Sequence, residues 1–488
     1  MALCLSNSAL SSLPATVAAP GYDRSQLSAG ILHFGVGNFH RAHQAMYLDR
    51  LFARGLSRDW ALVGAGVFEG ERNGRAVLAA QDWLTTLVEQ EAEGSTARVL
   101  GSMIDYIEPA NGPAIVARMA EPDIRIVSMT ITEGGYFLDS SDRFDPAHPA
   151  MVADAARPDA PRSVFGLILA ALKVRRAAGL APFTVMCCDN IPHNGVVTRN
   201  TLTGLARLSD PAFADWIEGN VAFPNAMVDR ITPATTDRER GILAGEFGVQ
   251  DGWPVFCEGF TQWVMEDNFP LGRPALEEVG VQFVPDVAPY ELMKLRILNG
   301  GHATIAYPGG LLDVHFVHEA MEHPLIRGFL RKLEETEIIP NVPPVPDTSL
   351  SDYFDLIERR FSNPKIGDTV RRLCLDGSNR QPKFILPTLR DALKSGGSVA
   401  GLALESALWC RYCHGTSDSG QAIAPNDPNW DALVTASRAA RDRPQAWLEQ
   451  KAIYGDLAEN AAFSGAFAAA LTALWADGTA AVLTRYIG

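Results

Sequence analysis

Between residues 29 and 189, short apolar runs alternate with helical stretches, and that alternation restricts the fold more than any other feature. The runs are AGILHFGV at 29–36, WALVGAGVF at 60–68, IRIVSMTIT at 124–132 and FTVMCCD at 183–189. Helical patterns lie between them, from about His40 to Arg54 and in SVFGLILAALKVRRAAG at 163–179. Parallel neighbours in a sheet need long crossovers, so strands separated by helices predict βαβ units and an α/β domain. Residues 255–284 carry shorter, mixed runs such as VQFVPDV. Beyond Pro289 the pattern changes to long helices, as in ELMKLRILNGGHATIAY, PLIRGFLRKLEETEI, GLALESALWCRYC and GAFAAALTALWADG. A turn-rich stretch, IIPNVPPVPDTSLSD at 338–352, interrupts them. We therefore expect an α/β domain over residues 1–285 and a mostly helical one over 286–488, with the boundary placed to within about ten residues.

Composition narrows the function classes. The 488 residues carry a net charge of −15, which disfavours nucleic acid and anionic membrane surfaces, since both reward basic patches. No apolar run approaches the roughly 20 residues needed to span a bilayer. The opening MALCLSNSALSSLPATVAAPGYD has no basic residue before Arg24 and no sustained apolar centre. It reads as a loose extension rather than an export signal. Seven scattered cysteines suit reduced thiols of a cytoplasmic protein better than a disulfide framework. Cys410-Arg-Tyr-Cys413-His414 matches a haem-attachment pattern, but that chemistry needs export, and the segment ends an Ala- and Leu-rich helix that Gly415 could cap.

Gly35-Val36-Gly37-Asn38-Phe39 follows the first strand and opens a helix, the context of a Rossmann-type dinucleotide site. The first glycine permits a tight turn and the second lets the backbone approach a pyrophosphate. The helix N-terminus then offers free N–H groups. His40 stands where the pattern's third glycine belongs. Gly64-Ala65-Gly66 is a rival inside the second run, where glycines more simply ease packing. Past that strand, Glu69 could accept hydrogen bonds from a ribose and repel a 2′-phosphate, which favours NAD. Glu71 could serve instead, Arg72 lies close enough to soften the preference, and a solvated loop acid is the plain alternative.

Lys294-Leu-Arg-Ile-Leu-Asn299-Gly-Gly-His302 is the sharpest candidate for chemistry. On an α-helix Asn299 lies about 140° round from Lys294 and His302 about 80°, so the three share one broad face. Gly300 and Gly301 each cost about 1 kcal/mol of helix propensity, which a close approach of the backbone would explain. The set suits oxidation of a secondary alcohol. Lys294 can take the hydroxyl proton if burial and a nearby positive charge lower its affinity for protons. Asn299 can donate to the developing alkoxide, and His302 can orient the hydroxyl. An amphipathic helix with solvated Lys, Asn and His is the competing reading.

Cys188-Asp189-Asn190-Ile-Pro-His-Asn-Gly195 follows the fourth run, so Asn190 falls at the C-terminal end of a parallel strand, where such sheets bind ligands. A turn would also use these residues. Thr132-Glu133-Gly-Gly-Tyr136 ends the third run in the same way. Arg372 and the loop Asp376-Gly-Ser-Asn-Arg380-Gln-Pro-Lys383 place cations that can donate to hydroxyls, or that simply face solvent. His315, His318 and His323, with Glu319, lack a matching shell of further ligands, and no metal is expected.

Taken together, G-V-G-N-F-H-R-A-H at 35–43, T-E-G-G-Y at 132–136, C-D-N-I-P-x-N-G at 188–195, V-D-R-I-T-P at 228–233, K-x-x-x-x-N-x-x-H at 294–302, R-F-S-N-P-K-I-G-D-T at 360–369 and S-N-R-Q-P-K-F at 378–384 resemble the polyol-specific long-chain dehydrogenases over nearly the whole chain. The resemblance is closest to the members acting on mannitol. It implies a Rossmann-type domain, a mostly helical domain, an active site in the cleft between them, and zinc-free, NAD-linked oxidation of mannitol at C2 to fructose. By the same resemblance Lys294 is the general base, Asn190 and Asn299 the oxyanion pair and His302 the substrate-orienting histidine. Val228 and Asp229 then lie near cofactor and substrate, and Arg372, Arg380 and Lys383 are the candidate substrate cations. The family includes monomers, so a monomer is expected. Arabinitol or sorbitol dehydrogenation and fructuronate reduction remain open within the family. A Rossmann-type methyltransferase and a non-enzymatic binding module remain open outside it.

Overall fold

A computed structural model of the chain describes residues 2–139 and 141–488. The chain divides into two compact units, Met1–Ala288 and Pro289–Gly488.

The first unit is built on five parallel strands: β1 Ala29–Phe34, β2 Ala61–Ala65, β3 Met103–Tyr106, β4 Ile126–Met129 and β5 Thr184–Cys187. Their order in the sheet is β3-β2-β1-β4-β5, so the direction of winding reverses between β1 and β4. Open α/β sheets bind ligands beyond the carboxyl ends of the strands at such a point. Successive residues face opposite sides of the sheet. Leu32, Val63, Val127 and Val185 enter one apolar cluster with Phe165, Ile168 and Leu172 of the helix Val164–Ala177. Ile31, Leu62, Ile126 and Met186 enter another with Ala45, Leu48 and Phe52 of the helix Gln44–Ala53. Both faces are covered, which is why these strands read as unbroken apolar runs.

Three smaller sheets surround this core, and the sequence patterns did not anticipate them. Thr85–Gln90 and Ser95–Leu100 form an antiparallel pair inside a four-stranded sheet that also holds Val255–Glu258 and Val17–Ala18. Ala226–Asp229, Gln262–Glu266 and Gln282–Val284 form a three-stranded sheet. The N-terminal stretch is not the loose extension expected. Leu3–Cys4 pairs in parallel with Val249–Gln250, and the Asn7 N–H donates to Asp82 at 2.8 Å. Long-range backbone pairing of so short a segment leaves no local periodicity to detect. The helix expected from His40 to Arg54 starts at Asn38 and breaks at His43, whose backbone angles (−120°, −89°) are not helical.

The second unit is helical, as its patterns predict. Its longer helices include Gly300–Leu311, Pro324–Leu333, Leu350–Phe361, Ala400–Tyr412 and Ala461–Asp477. Two wide π-helical turns, Lys294–Asn299 and Glu334–Ile338, interrupt the helical runs that contain them. The segment around Arg380, expected as a loop, is instead a helix, Gly377–Phe384, launched from Asp376 in the left-handed conformation. Among the described residues, no helix is long and apolar enough to cross a membrane.

Candidate active site

In the first unit, the loop after β1 has the stereochemistry its glycines predict. Gly35 sits at φ +87°, and a Cβ there would lie 2.0 Å from the Thr130 carbonyl oxygen at the end of β4. Only glycine fits that crossing. The Gly37 N–H closes the turn onto the Gly35 carbonyl at 2.7 Å. A Cβ on Gly37 would meet nothing nearer than the Gly35 oxygen at 3.8 Å, leaving an open cradle over the first turn of Asn38–Ala42. That helix has only five residues, so individual N–H donors at its start matter more than a macrodipole. Such a cradle fits a dinucleotide pyrophosphate.

The Asn38 side chain is committed to the protein. Its amide donates to the Pro233 carbonyl at 3.1 Å and to Thr235 at 3.2 Å, and its oxygen accepts from Arg41 at 2.8 Å. Asn38 and Phe39 can therefore offer a ligand their backbone, with the Asn38 amide bracing the loop. His40, in the third-glycine position, is buried and stacks flat on His33 of β1 at 3.5 Å between ring centres. Planar stacking gives the close helix–strand approach that a third glycine would otherwise supply. Burial, and then the charge of His33, push the His40 imidazole well below its ordinary range, so this pair is neutral.

At the end of β2 the acidic candidates separate. Glu71 accepts the Phe68 N–H at 2.8 Å, and its carboxylate fills the space beside Gly66, so it shapes the loop. Glu69 is exposed and pairs with Arg72 at 2.5 Å, while Arg72 also reaches Glu108 at 3.1 Å. The acid facing solvent is thus Glu69, and Arg72 is occupied by two carboxylates. Phe68, overlooked in the sequence, is 72% exposed beside it, an apolar plane suited to a base. Gly64 packs against Tyr106 and Val36, the structural role expected of that rival glycine.

Beyond β5, Asp189 ties two strand ends together. Its carboxylate accepts the Ile131 and Thr132 N–H groups, both at 2.9 Å, and the Tyr136 hydroxyl at 2.6 Å. This clamp fixes the loop that presents Asn190, which is exposed directly after it, and the loop that carries exposed Glu133. Val228 and Asp229 are buried at the end of Ala226–Asp229. The next residue, Arg230, anchors that end by pairing with Glu89 at 2.5 Å and donating to the Ala42 carbonyl at 2.6 Å. Val228 and Asp229 therefore belong to the three-stranded sheet and not to the five-stranded one.

In the second unit, the Lys294 motif is not a plain α-helix. Lys294–Asn299 is a π turn, with the Gly300 N–H donating to the carbonyl of Leu295, five residues back. A π turn pairs residues five apart. Lys294 and Asn299 are five apart, so they stand about one turn above each other rather than 140° round the helix. The unusual turn thus aligns the two polar groups, and π turns gather at functional positions. Lys294 is buried. The glycines are less crowded than expected: a Cβ would meet the Phe384 carbonyl at 3.5 Å from Gly300, and Glu334 and Phe361 at 3.4 Å from Gly301. A methyl would fit at either position.

His302 stacks on Phe361 at 4.1 Å between ring centres, and its Nε2 is buried without a hydrogen-bond partner. Burial, then the charges of Arg372, Arg380 and Arg360, hold its imidazole well below the ordinary range. A neutral ring can accept from or donate to a hydroxyl. Arg372 and Arg380 thus lie in the field of His302, joined by Arg360, a buried cation that was not singled out although it opens the R-F-S-N-P-K motif. Arg372 is held by Asp368, and Arg380 donates to the Leu373 carbonyl at 2.9 Å. Lys383 is exposed on the same helix as Arg380.

Glu334 was also missed, because a glutamate in E-E-T-E reads as a solvated face. It is fully buried on the second π turn, and neither carboxyl oxygen has a hydrogen-bond partner among the described residues. Burial alone pushes its carboxyl well above the ordinary range, so the folded protein holds it neutral. The unfolded chain ionises it above about pH 4.3. Folding stability from this group is therefore complete below that pH and declines as pH rises. Glu334→Gln should raise the thermal midpoint more at about pH 8 than at about pH 5; a gain equal at both would place a charged carboxylate there instead.

All seven cysteines are free and six are buried, including Cys410 and Cys413. Among the described residues, no group of His, Cys, Asp and Glu is gathered that could hold a metal ion. His315 precedes the short helix Val317–Glu322 that contains His318, and His323 follows it.

Two family models match in chain order: the mannitol dehydrogenase Rossmann domain over residues 29–278 and the mannitol dehydrogenase C-terminal domain over 286–475. A mannitol 2-dehydrogenase of Cereibacter sphaeroides is 59% identical over 473 residues, covering 97% of this chain and 99% of the relative. Among solved structures, Pseudomonas fluorescens mannitol 2-dehydrogenase in ternary complex with NAD and D-mannitol is 41% identical with a TM-score of 0.89, covering 99% of each chain. A substrate-free D-sorbitol dehydrogenase is 36% identical with a TM-score of 0.92, covering 98% of this chain and 100% of its own.

Proposed function

The chain belongs to the mannitol dehydrogenase family, and from that premise we propose that it oxidises D-mannitol at C2 to D-fructose, reversibly, with NAD and without a metal. The observation that carries the reading is the π turn on which buried Lys294 and Asn299 stand five residues apart, followed by neutral His302 on the next helix. NAD would supply the hydride acceptor, and the backbone of Gly35–Phe39 together with Glu69, Val228 and Asp229 would hold it. Lys294 removes the proton from the C2 hydroxyl. Asn299 and Asn190 donate their amide hydrogens to the oxygen as it gains negative charge, which stabilises the alkoxide most where charge develops. His302, fixed by its stack on Phe361, orients the hydroxyl. Arg372 and Arg380 donate to hydroxyls farther along the polyol, with Lys383 and Asp229 as additional contacts.

Free thiols throughout suit the reducing cytoplasm, and we place a monomeric enzyme there. The test of substrate is turnover with NAD on mannitol, sorbitol, arabinitol and fructuronate. Mannitol should give the highest kcat/KM. A clear preference for sorbitol would move the assignment within the family. Activity on fructuronate alone would overturn the reading.

A further inference from the structure

Beneath the helix that carries Arg380 lies a buried polar group the proposed chemistry does not use. Gln381, on Gly377–Phe384, and Glu405, on Ala400–Tyr412, are both buried, and the Gln381 Nε2 donates to Glu405 Oε1. The two remaining atoms, Gln381 Oε1 and Glu405 Oε2, are inaccessible to solvent and have no hydrogen-bond partner among the described residues. An ionised carboxylate offers no hydrogen, so in that state both atoms stay unsatisfied, at a cost of about 1–3 kcal/mol or more each. A carboxylic acid removes both deficits together. Its O–H at Oε2 would donate to Gln381 Oε1 while Oε1 accepts from Nε2, giving a closed acid–amide ring.

The surroundings favour that state. The ionisable groups facing Glu405 are Tyr307, from the helix that also carries His302, and Tyr454. Neither is a cation, and among the described residues no arginine, lysine or histidine offsets a charge on Glu405. Burial pushes its carboxyl up to about 8 against the opposing pull of the Gln381 bond. The helix is seated tightly on this group: a Cβ on Gly377 would fall 2.7 Å from the Tyr307 hydroxyl and 2.6 Å from Trp409 Nε1.

We propose that Glu405 is a positioning residue, held as a carboxylic acid in a reciprocal pair with Gln381 that seats the helix bearing Arg380 and so sets polyol affinity. The inference rests on Arg380 contacting substrate, as proposed above. Loss of the proton opens the ring, leaves a buried charge against the Gln381 oxygen and loosens the seat. Polyol binding should therefore weaken as pH rises past the Glu405 titration.

The experiment measures polyol KM and kcat against pH for wild type, Glu405→Gln, Glu405→Leu and Arg380→Ala. In wild type KM should rise by up to about tenfold for each pH unit above the titration. Glu405→Gln keeps a reciprocal amide pair that cannot ionise, so its KM should match wild type near neutrality and lose the alkaline rise. Glu405→Leu should raise KM at every pH with kcat largely retained. Infrared difference spectra across the titration should show a carboxylic-acid carbonyl band that Glu405→Gln abolishes. An alkaline rise unchanged in Glu405→Gln, or an infrared difference spectrum identical to wild type with no acid band lost, overturns the proposal. Arg380→Ala separates the two readings: if it leaves KM unaltered the substrate contact fails, and if it raises KM while Glu405→Gln behaves as wild type, only the acid–amide pair fails.

Discussion

Lys294→Ala is expected to lower kcat/KM for polyol oxidation by about 10³-fold or more, with the fold intact. General-base catalysis alone contributes about 10²–10⁴, and removing the residue also takes a buried polar group out of the motif. The pH dependence is the sharper test. Only the neutral amine can accept a proton, so the wild-type rate should rise with pH along a limb set by the amine's loss of its proton. That limb should vanish in Lys294→Ala. A mutant that is slow yet keeps the same limb would assign the titration to another group. A mutant of near-normal rate would remove Lys294 from the mechanism. The sequence pattern alone was equally compatible with a solvated lysine; burial on a π turn above Asn299 is what distinguishes the two.

The glycine loop predicts two opposite outcomes from two similar substitutions. Gly35→Ala puts a methyl 2.0 Å from the Thr130 carbonyl oxygen at φ +87°. The backbone penalty and the overlap together should cost about 3 kcal/mol or more, a large share of a typical folding stability of about 5–15 kcal/mol. Gly37→Ala meets open space instead, so its cofactor-free melting temperature should stay close to wild type. Its KM for NAD should rise by about tenfold or more, because the methyl occupies the cradle the pyrophosphate needs. Melting curves without cofactor and initial rates against NAD separate the two. Equal destabilisation by both would mean that Gly37 serves packing and not the cofactor.

These residues also mark how far a linear reading reaches. The β1 strand and its glycines were legible because two-sided burial makes a continuous apolar run and a tight turn needs glycine, both of which are local requirements. The fold class followed from the alternation of runs and helices. The antiparallel pair Thr85–Gln90 with Ser95–Leu100 was not legible, since its alternation is weak and its partner Val255–Glu258 lies far along the chain. The N-terminal strand was misread for the same reason: two residues paired with Val249–Gln250 have no periodicity of their own. Lys294, Asn299 and His302 were singled out by residue type and spacing, but the angle expected between Lys294 and Asn299 assumed an α period that the π turn does not keep. Nothing in K-L-R-I-L-N announces a π turn.

The burial of ionisable side chains was the least legible property. Glu334, Glu405 and Arg360 look like ordinary helix-surface charges, and only packing against distant elements shows them as buried. What the sequence by itself determined is the α/β-then-helical order and the glycine turn after β1. These depend on local backbone limits and hydrophobic periodicity. What only the tertiary structure decided is which of Glu69 and Glu71 faces solvent, that Lys294 and Asn299 share a π turn, and which carboxyls lose their water. Each of those depends on neighbours supplied from far along the chain, and so does the cost of holding a charge.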